Sequence, residues 1–330
     1  MSRAIDVHAH YYPRPWVDRM ADMGSPLAAA VRSAPELTVA QRLRLLDENG
    51  VDRQVLSVGI LTPDFADRQL ATEAARLAND AYADVCRSHP RRLAAFGTVP
   101  LPHMDAALAE MRRCLDDLGM LGITLGCSVA GHPLDEPAFA PFFEELDRRA
   151  GVLFLHPVGT GTGPHTIDLG LTWMIGAVFE DTIAALRLVL SGMLTRYPRM
   201  RVIVSHLGGT LPFLLERLEF YGERERRQGS LPFEGTLREQ LRRLWYDTVN
   251  LHPAALRCAV DSLGAERLLL GTDFPFLQGP SFCACMTYLE DARLSPAELK
   301  AIRRGNAEAL LGLGRYEQAG TLMRGEREAR

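Results

Sequence analysis

The chain has 330 residues, of which 47% are hydrophobic and 24% charged, as is typical of a globular protein with a sizeable core. The formal net charge of −4 gives no electrostatic support for binding to nucleic acid or to an anionic membrane surface. We find no apolar run near the roughly 20 residues that a transmembrane helix needs, and no signal-peptide core after Met1. The six cysteines are scattered, which argues against a disulfide framework, so we expect a cytoplasmic protein.

Short apolar runs alternate with amphipathic stretches along the whole chain. The apolar runs predict eight strands of a parallel sheet that is covered on both faces, at residues 5–8, 54–58, 93–99, 122–125, 152–156, 202–205, 246–249 and 268–271. The amphipathic stretches predict helices at residues 40–48, 71–89, 105–117, 139–149, 181–196, 211–226, 253–263 and 296–311. This strict alternation predicts a single (β/α)8 TIM barrel domain over residues 1–330.

Several local signals refine this barrel. The stretch 11–37 is longer than a usual connection after a first strand and is typical of a lid or substrate loop. Gly50, Gly151 and Gly264 follow predicted helices, where a left-handed residue is favoured. Ser295 and Glu298 form a predicted capping box. The charged tail 324–330 is expected to fray.

Two histidines stand at the end of the first predicted strand, in the run Ile5-Asp6-Val7-His8-Ala9-His10. Residues two apart on a strand point to the same side, so His8 and His10 can direct both imidazoles at one point. Imidazole is a common ligand of zinc and of neighbouring transition metals. The pair therefore suggests a metal site.

Three more ionisable residues follow other predicted strands: His156 after the fifth, His206 after the sixth and Asp273 after the eighth. Singly, they could be a strand cap, a turn residue and a helix N-cap. The active site of a parallel barrel lies at the carboxyl ends of its strands, so together these residues predict one metal site there.

The ordered motifs resemble the amidohydrolase superfamily: Asp6-x-His8-x-His10, His156-Pro157, Ser205-His206-x-Gly208-Gly209 and Gly271-Thr272-Asp273-x-Pro275-Phe276. Within it, the chain is similar to the branch of aminocarboxymuconate semialdehyde decarboxylase and 6-methylsalicylate-type decarboxylases, most strongly from Trp173 to Arg217 and over residues 270–276. The resemblance implies one divalent metal, most often Zn²⁺ and sometimes Mn²⁺, held by His8, His10, His156 and Asp273. His206 would be the acid/base residue beside it.

The same resemblance implies how the substrate is held. Trp173 would line the pocket, and Arg217 would reach the substrate carboxylate of a neighbouring subunit, which implies a homodimer. Phe276 and other aromatic residues, namely Tyr11, Tyr12 and Phe274, could form a pocket for a planar acid. His252, just after the seventh strand, is a further candidate for substrate contact, or else a loop residue.

Lysine is almost absent from the chain, which bears on the number of metals. Related two-metal enzymes bridge their ions with a carbamylated lysine after the fourth strand, but here residues 126–128 read Gly-Cys-Ser and Lys300 is the only lysine. A lysine-bridged pair of metals is therefore excluded, which leaves a one-metal site.

The substrate is expected to be a small carboxylic acid, but the sequence departs from the semialdehyde decarboxylase. That enzyme has a second substrate arginine in the loop after the first strand, for which Arg32, Arg14 and Arg19 are only loose candidates here. An aromatic hydroxy acid is thus at least as good a candidate as the muconate semialdehyde. The proton donor in its decarboxylation would be Asp273, by analogy with the aromatic-acid decarboxylases, or His206.

Two other classes of function fit parts of the pattern. A hydrolase of lactones or amides, or a hydratase, could use the same metal site, since fold alone does not define the reaction. A barrel that binds without catalysis is the third reading, and the intact set of five site residues argues against it.

Overall fold

The structure is a computed structural model, and it describes residues 4–32, 37–160 and 163–313. The strands are β1 (Ala4–His10), β2 (Val51–Ser57), β3 (Leu93–Ala95), β4 (Ile123–Gly126), β5 (Ser128–Val129), β6 (His132–Pro133), β7 (Val152–His156), β8 (Arg201–Val204), β9 (Trp245–Asp247) and β10 (Leu268–Leu269). The α-helices are α1 (Arg14–Asp22), α2 (Ala28–Arg32), α3 (Val39–Glu48), α4 (Arg68–Ser88), α5 (Met104–Arg112), α6 (Ala140–Arg148), α7 (Ala177–Leu190), α8 (Met193–Arg196), α9 (Leu211–Arg227), α10 (Leu237–Leu241), α11 (Pro253–Leu263), α12 (Pro280–Asp291), α13 (Pro296–Lys300) and α14 (Asn306–Leu311). Three π-helical segments extend or precede helices, at Arg113–Asp117, Thr172–Gly176 and Ala301–Gly305.

Eight of these strands run parallel and follow one another around the fold. One sheet has the order β1-β2-β3 and a second has the order β10-β9-β8-β7-β4, while β5 and β6 form a separate hairpin. A bridge between Gly97 and Ile123 joins the two sheets at one edge, and a bridge between Ala9 and Phe274 joins them at the other. The predicted (β/α)8 barrel is confirmed.

Apolar side chains fill the interior of the barrel beneath the carboxyl ends of the strands. The interior cluster comprises Ile5, Val7, Val55, Phe96, Val152, Phe154, Ile203 and Leu269, with Ala307, Leu310, Leu311 and Leu313. Phe96 stacks on Phe154, and the Phe154 ring lies 5.1 Å from that of His8. The histidines at the top of the barrel therefore rest on a packed apolar floor, which limits their side-chain movement.

Most predicted elements are present, but the structure differs from the prediction at several points, and β3 ends at Ala95 rather than at residue 99. The stretch 11–37 is not only a loop, because it contains α1 and α2, and α1 buries Trp16, Val17 and Met20. The left-handed residue after α6 is Ala150, with φ 49°, rather than Gly151. Helix α12, which lies between the last strand and α13, was not predicted.

Two remaining predictions concern the ends of elements and of the chain. The capping box of Ser295 and Glu298 at α13 is confirmed. The tail 324–330 lies outside the described residues. Across the described ranges, no helix is both long enough and apolar enough to cross a bilayer.

Candidate active site

Five side chains meet at the carboxyl ends of the barrel strands. The Nε2 atoms of His8 and His10 are 3.2 Å apart, and they lie 3.2 and 3.0 Å from Oδ1 of Asp273. His156 Nε2 is 4.0 Å from the same oxygen, and His206 Nε2 is 3.9 Å from Asp273 Oδ2. One ligand atom from each of His8, His156, His206 and Asp273 lies within 4.8 Å of the others. All five residues that the sequence singled out thus come together.

Two buried carboxylates orient two of these imidazoles. Asp247 Oδ2 accepts a hydrogen bond from Nδ1 of His8 over 2.7 Å, and Asp181 Oδ2 accepts one from Nδ1 of His206 over 2.8 Å. Asp247 also accepts the backbone N–H of His206 through its other oxygen, at 3.0 Å. A proton fixed on Nδ1 leaves the Nε2 lone pair of each neutral imidazole free for the centre of the cluster.

The other two histidines are oriented by neutral groups. His10 Nδ1 lies 2.9 Å from the hydroxyl oxygen of Ser57, and His156 Nδ1 donates to the carbonyl oxygen of Pro157 over 2.7 Å. All four rings therefore present Nε2 to the same point.

Within the part of the chain that the structure describes, the Nε2 atom of His156 is buried without a hydrogen-bond partner. An unsatisfied buried nitrogen is costly, and buried polar atoms in folded proteins are nearly always paired. A cation at the centre would satisfy this lone pair and would separate the Nε2 atoms of His8 and His10, which face each other at 3.2 Å. The donor set of imidazole nitrogens and one carboxylate suits a divalent transition metal.

Burial and charge set the protonation of the cluster. Burial lowers the pKa of His10 to about 4 and that of His156 to about 3, so both rings are neutral near pH 7. Burial also raises the pKa of Asp273, but the charge of His8 and the short contact with His10 outweigh it and hold that pKa well below its usual value. Neutral imidazoles and an ionised carboxylate are the forms that bind metals.

His8 and His206 behave differently because each has a carboxylate neighbour. Burial lowers the pKa of both, yet Asp247 and Asp273 raise that of His8 to about 9, and Asp181 and Asp273 raise that of His206 well above its usual range. Before any cation binds, these two rings therefore favour the protonated form.

Backbone strain occurs at two of the site residues. Asp273 has φ 57°, and His206 and Leu207 have φ 53° and 58°. Such conformations cost about 1–3 kcal/mol each for residues other than glycine and persist where the surroundings impose them. Position 209 requires glycine, because a Cβ there would lie 1.9 Å from the carbonyl oxygen of Val178. The glycines after His206 thus allow the turn that aims its ring.

Aromatic side chains flank the cluster on the solvent side. The Phe276 ring is 5.6 Å from that of His10 and is 41% exposed, and the Tyr12 ring stacks on His10 at 5.9 Å. Trp173 is 42% exposed in the π-helical segment before α7, with its ring against Gly159. Phe274 does not belong to this group, since it is buried beneath Arg42 and against Phe282.

Two predicted substrate residues lie on an outer surface of this chain. Arg217 is exposed on α9, with its guanidinium over the ring of Tyr221 at 5.1 Å. His252 is exposed at the start of α11 and lines an outer groove with Phe213 and Asn250. The fold of one chain does not bring either residue into the cluster of histidines.

Sequence reasoning missed the carboxylates that orient the histidines. Asp247 follows the apolar residues Trp245 and Tyr246 at the end of β9, so the strand-end rule that identified Asp273 could also have found it. Asp181 offers no such signal, because it lies within α7, where a lone acidic residue is indistinguishable from a solvated one.

Residues 5–313 of the chain match the amidohydrolase family described as Amidohydro_2. The chain therefore belongs to this family. It is 31% identical over 242 residues to a 2-amino-3-carboxymuconate-6-semialdehyde decarboxylase of Dictyostelium discoideum, which covers 72% of this chain and 67% of that protein. It is also 31% identical over 314 residues to a 6-methylsalicylic acid decarboxylase of Penicillium expansum, which covers 90% and 92% of the two chains.

A solved structure shares the fold over nearly the whole chain. A dihydroxybenzoic acid decarboxylase of Polaromonas sp. JS666, with bound manganese and the inhibitor 2-nitroresorcinol, superposes with a TM-score of 0.81 at 25% identity. The match covers 95% of this chain and 98% of that one. A divalent metal centre is thus supported both by the cluster in this chain and by a related structure that holds one.

Proposed function

We propose that the protein is a metal-dependent, non-oxidative decarboxylase of an aromatic hydroxy acid. The observation that carries this proposal is the convergence of four imidazoles and one carboxylate at the carboxyl ends of the barrel strands. The decarboxylase activities of the related proteins supply the class of reaction. An unsaturated acid of the muconate semialdehyde type is the alternative substrate.

In this proposal, His8, His10, His156 and Asp273 hold one divalent metal, with Zn²⁺ favoured by the imidazole-rich donor set and Mn²⁺ as the alternative. When bound, the metal supplies Lewis-acid polarisation of the substrate carboxylate and of the hydroxyl beside it. The absence of a lysine after β4 supports a single ion.

Loss of CO₂ from an aromatic ring requires a proton at the carbon that carries the carboxylate. The proton goes from the donor to that carbon, the bond to the carboxylate breaks, its electron pair returns to the ring and CO₂ leaves. The charges around the site favour His206 over Asp273 as donor, since the carboxylate of Asp181 favours a protonated imidazole. Water then restores the proton to His206.

Phe276 and Tyr12 give the mouth of the site flat apolar surfaces, which suit a planar aromatic acid, and Trp173 is proposed as a further substrate contact. His252 lies on the outer groove rather than in the histidine cluster, so we propose that it contacts a part of the substrate away from the metal.

We also propose that the working form is a homodimer. Phe213 and Phe220 are 85% and 71% exposed on α9, and Arg217 lies between them at helical spacing on the same face. Exposed apolar surface of this kind marks interaction sites, and a second copy seated there could receive Arg217 near its substrate. Sedimentation analysis should give a dimer that Phe213→Asp dissociates, whereas a monomeric wild-type protein at assay concentration would contradict this proposal.

We also expect the protein to reside in the reducing cytoplasm, which is supported by the six free cysteines. Cell fractionation of the producing organism would test this, with recovery from an oxidising compartment as the contrary result.

To test the function, the metal-loaded enzyme is incubated with 2,6-dihydroxybenzoate, 6-methylsalicylate and 2-amino-3-carboxymuconate semialdehyde, and CO₂ release is measured. We expect release from at least one hydroxybenzoate and none from a folded His156→Ala variant. Addition of water to a substrate, without CO₂, would instead indicate a hydratase or hydrolase.

A further inference from the structure

Arg42 carries a buried charge behind the cluster of histidines. It is 4% exposed, on α3, and it makes no direct contact with a carboxylate among the described residues. Its Nη1 donates to the side-chain oxygen of Gln54 over 2.6 Å, and its Nη2 donates to the backbone carbonyl oxygen of His10 over 2.7 Å. Its guanidinium lies 4.6 Å from the centre of the Phe274 ring. Burying a guanidinium costs free energy unless hydrogen bonds or an opposite charge compensate for its lost hydration. The burial of Arg42 therefore indicates that its hydrogen bonds have a structural or functional role.

Gln54 connects Arg42 to a second buried charge. The Gln54 amide donates to Oδ2 of Asp6 over 2.7 Å, and the hydroxyl of Thr272 donates to the same oxygen, also over 2.7 Å. The other oxygen of Asp6 accepts the backbone N–H groups of His8 and Thr272, both over 3.1 Å. Arg42, Gln54, Asp6 and Thr272 thus form a continuous buried network, here called the Arg42 network.

The Arg42 network forms hydrogen bonds with the backbone of the segments that contain the site residues. Arg42 fixes the carbonyl of His10, and Asp6 fixes the backbone N–H of His8, at the point where β1 shifts its register. Thr272 directly precedes Asp273, whose backbone is strained and whose N–H donates to the carbonyl of His8 over 2.8 Å. A strained residue keeps its conformation only while its neighbours are held.

We propose that Arg42 is a positioning residue for the metal centre: through the His10 carbonyl, Gln54 and Asp6, it holds the backbone of His8, His10 and Asp273 in the geometry that binds the ion. This inference rests on the proposed metal site. The competing explanation is that Arg42 only packs α3 against the barrel, in which case its loss would lower stability without changing the site.

The test compares Arg42→Met with Arg53→Met in the full-length protein. Arg53 is a matched control, because it is 9% exposed and also donates to two backbone carbonyls, those of Pro90 and Arg91, near the start of β2 and away from the site. Each protein is stripped of metal and titrated with Zn²⁺ against a chromophoric chelator, and the visible spectrum of its Co²⁺ form is recorded. Urea unfolding is measured alongside.

We expect Arg42→Met to weaken Zn²⁺ binding about 10- to 100-fold, as is usual when support of metal ligands is lost, and to alter the Co²⁺ spectrum. Arg53→Met should lower stability while leaving both readouts as in the wild type. Arg42→Lys should fall between, since it keeps the charge but cannot make both hydrogen bonds. An unchanged affinity and spectrum in folded Arg42→Met would overturn the proposal.

If Arg42→Met does not fold, Thr272→Val decides the matter, because it removes the hydroxyl that donates to Asp6 and accepts the N–H of Phe274, while the backbone N–H of Thr272 still donates to Asp6. A several-fold loss of Zn²⁺ affinity would support the role of the network, and an unchanged affinity would refute it. Failure of the wild-type protein to bind a divalent ion would instead refute the metal site itself.

Discussion

At the scale of single residues, the orientation of His206 depends on one carboxylate. Asp181 accepts the Nδ1 proton of His206 and is fully buried, so no water can replace it. The backbone of His206 is also held by Asp247. We therefore expect the imidazole to stay in place, but with altered proton affinity, when Asp181 is changed to its amide.

Asp181→Asn should lower kcat about 10- to 100-fold, because the amide no longer stabilises a protonated His206. Steady-state kinetics with metal-loaded protein would measure this. Asp135→Asn provides the control. Asp135 forms an ion pair with Arg187, which lies on the same helix as Asp181, but Asp135 does not contact the site. Equal activity of the Asp181→Asn variant and the wild type would show that His206 does not need this partner.

Gly59 is a second residue on which the site depends. Its φ is 51°, and a Cβ there would lie 2.6 Å from both His10 Nδ1 and the Tyr12 hydroxyl oxygen. Gly59→Ala should therefore displace His10 and sharply lower both metal affinity and turnover, in addition to a conformational cost of about 1–2 kcal/mol. Isothermal titration with Zn²⁺ and chemical unfolding would measure the two effects.

Gly119 separates these effects, because its φ is 68° and no atom lies within 4 Å of a Cβ built there. Gly119→Ala should lower the free energy of unfolding by a similar conformational cost and leave metal binding unchanged. Wild-type affinity in Gly59→Ala would show that His10 tolerates displacement.

At the scale of elements, helix α4 ties together the ends of the first two strands. The hydroxyl of Tyr82 lies 2.9 Å from the carbonyl oxygen of Tyr11 and 2.8 Å from that of Ser57, and Tyr82 is fully buried. Tyr11 follows His10, and the hydroxyl of Ser57 contacts the His10 ring. The hydroxyl of Tyr82 is thus one contact away from the site.

Tyr82→Phe should cost about 1–2 kcal/mol of unfolding free energy, because buried carbonyls lose their donor, and it should also weaken metal binding. Tyr246→Phe is the matched control, since Tyr246 is equally buried and donates to the carbonyl of Leu241 instead. It should lower stability by about the same amount and leave the metal affinity intact. Equal metal affinities in the two variants would contradict the link between α4 and the site.

The elements also show how far sequence could predict this structure. The run 152–156 predicted β7 with the correct first and last residues. A strand that is covered on both faces is apolar throughout, and this run is apolar up to His156. The strand ends then predicted His156, His206 and Asp273. The helix α1 was not predicted, since Pro13 and Pro15 in the sequence suggest a loop, whereas Pro15 occupies the first turn, where proline is tolerated.

Other features lay beyond sequence for a physical reason. The register shift of β1 between Asp6 and Ala9 arises from pairing with β2, which no local pattern encodes. The burial of Arg42 could not be predicted either, because it depends on how α3 packs against Gln54 and the end of β1.

At the scale of the whole molecule, the metal and the fold are expected to be linked. The proposed ligands come from β1, β7 and the segment after β10, so one ion would tie together distant parts of the barrel. A ligand that binds only the folded state stabilises it by mass action. Removing the ion also leaves the Nε2 atom of buried His156 without a partner.

Chelation should therefore lower the Tm and abolish turnover, and Zn²⁺ or Mn²⁺ should restore both. With the ion at about 100 times its Kd, linkage predicts about 2.7 kcal/mol of stabilisation. Differential scanning calorimetry with and without chelator would measure it, and the His156→Ala variant should show little response. A Tm that is independent of metal in the wild-type protein would contradict the linkage.

In the proposed reaction, the site protonates an aromatic carbon as CO₂ leaves. The most direct measurement is turnover of 2,6-dihydroxybenzoate and of 6-methylsalicylate in D₂O by the metal-loaded enzyme, with the products analysed by NMR and mass spectrometry. We expect CO₂ release from at least one of the two acids and one deuterium at the carbon that carried the carboxylate, with neither in the chelated enzyme. If both acids stay unchanged in a folded, metal-loaded sample, or if a product has gained water and kept its carboxylate, the proposed reaction is wrong.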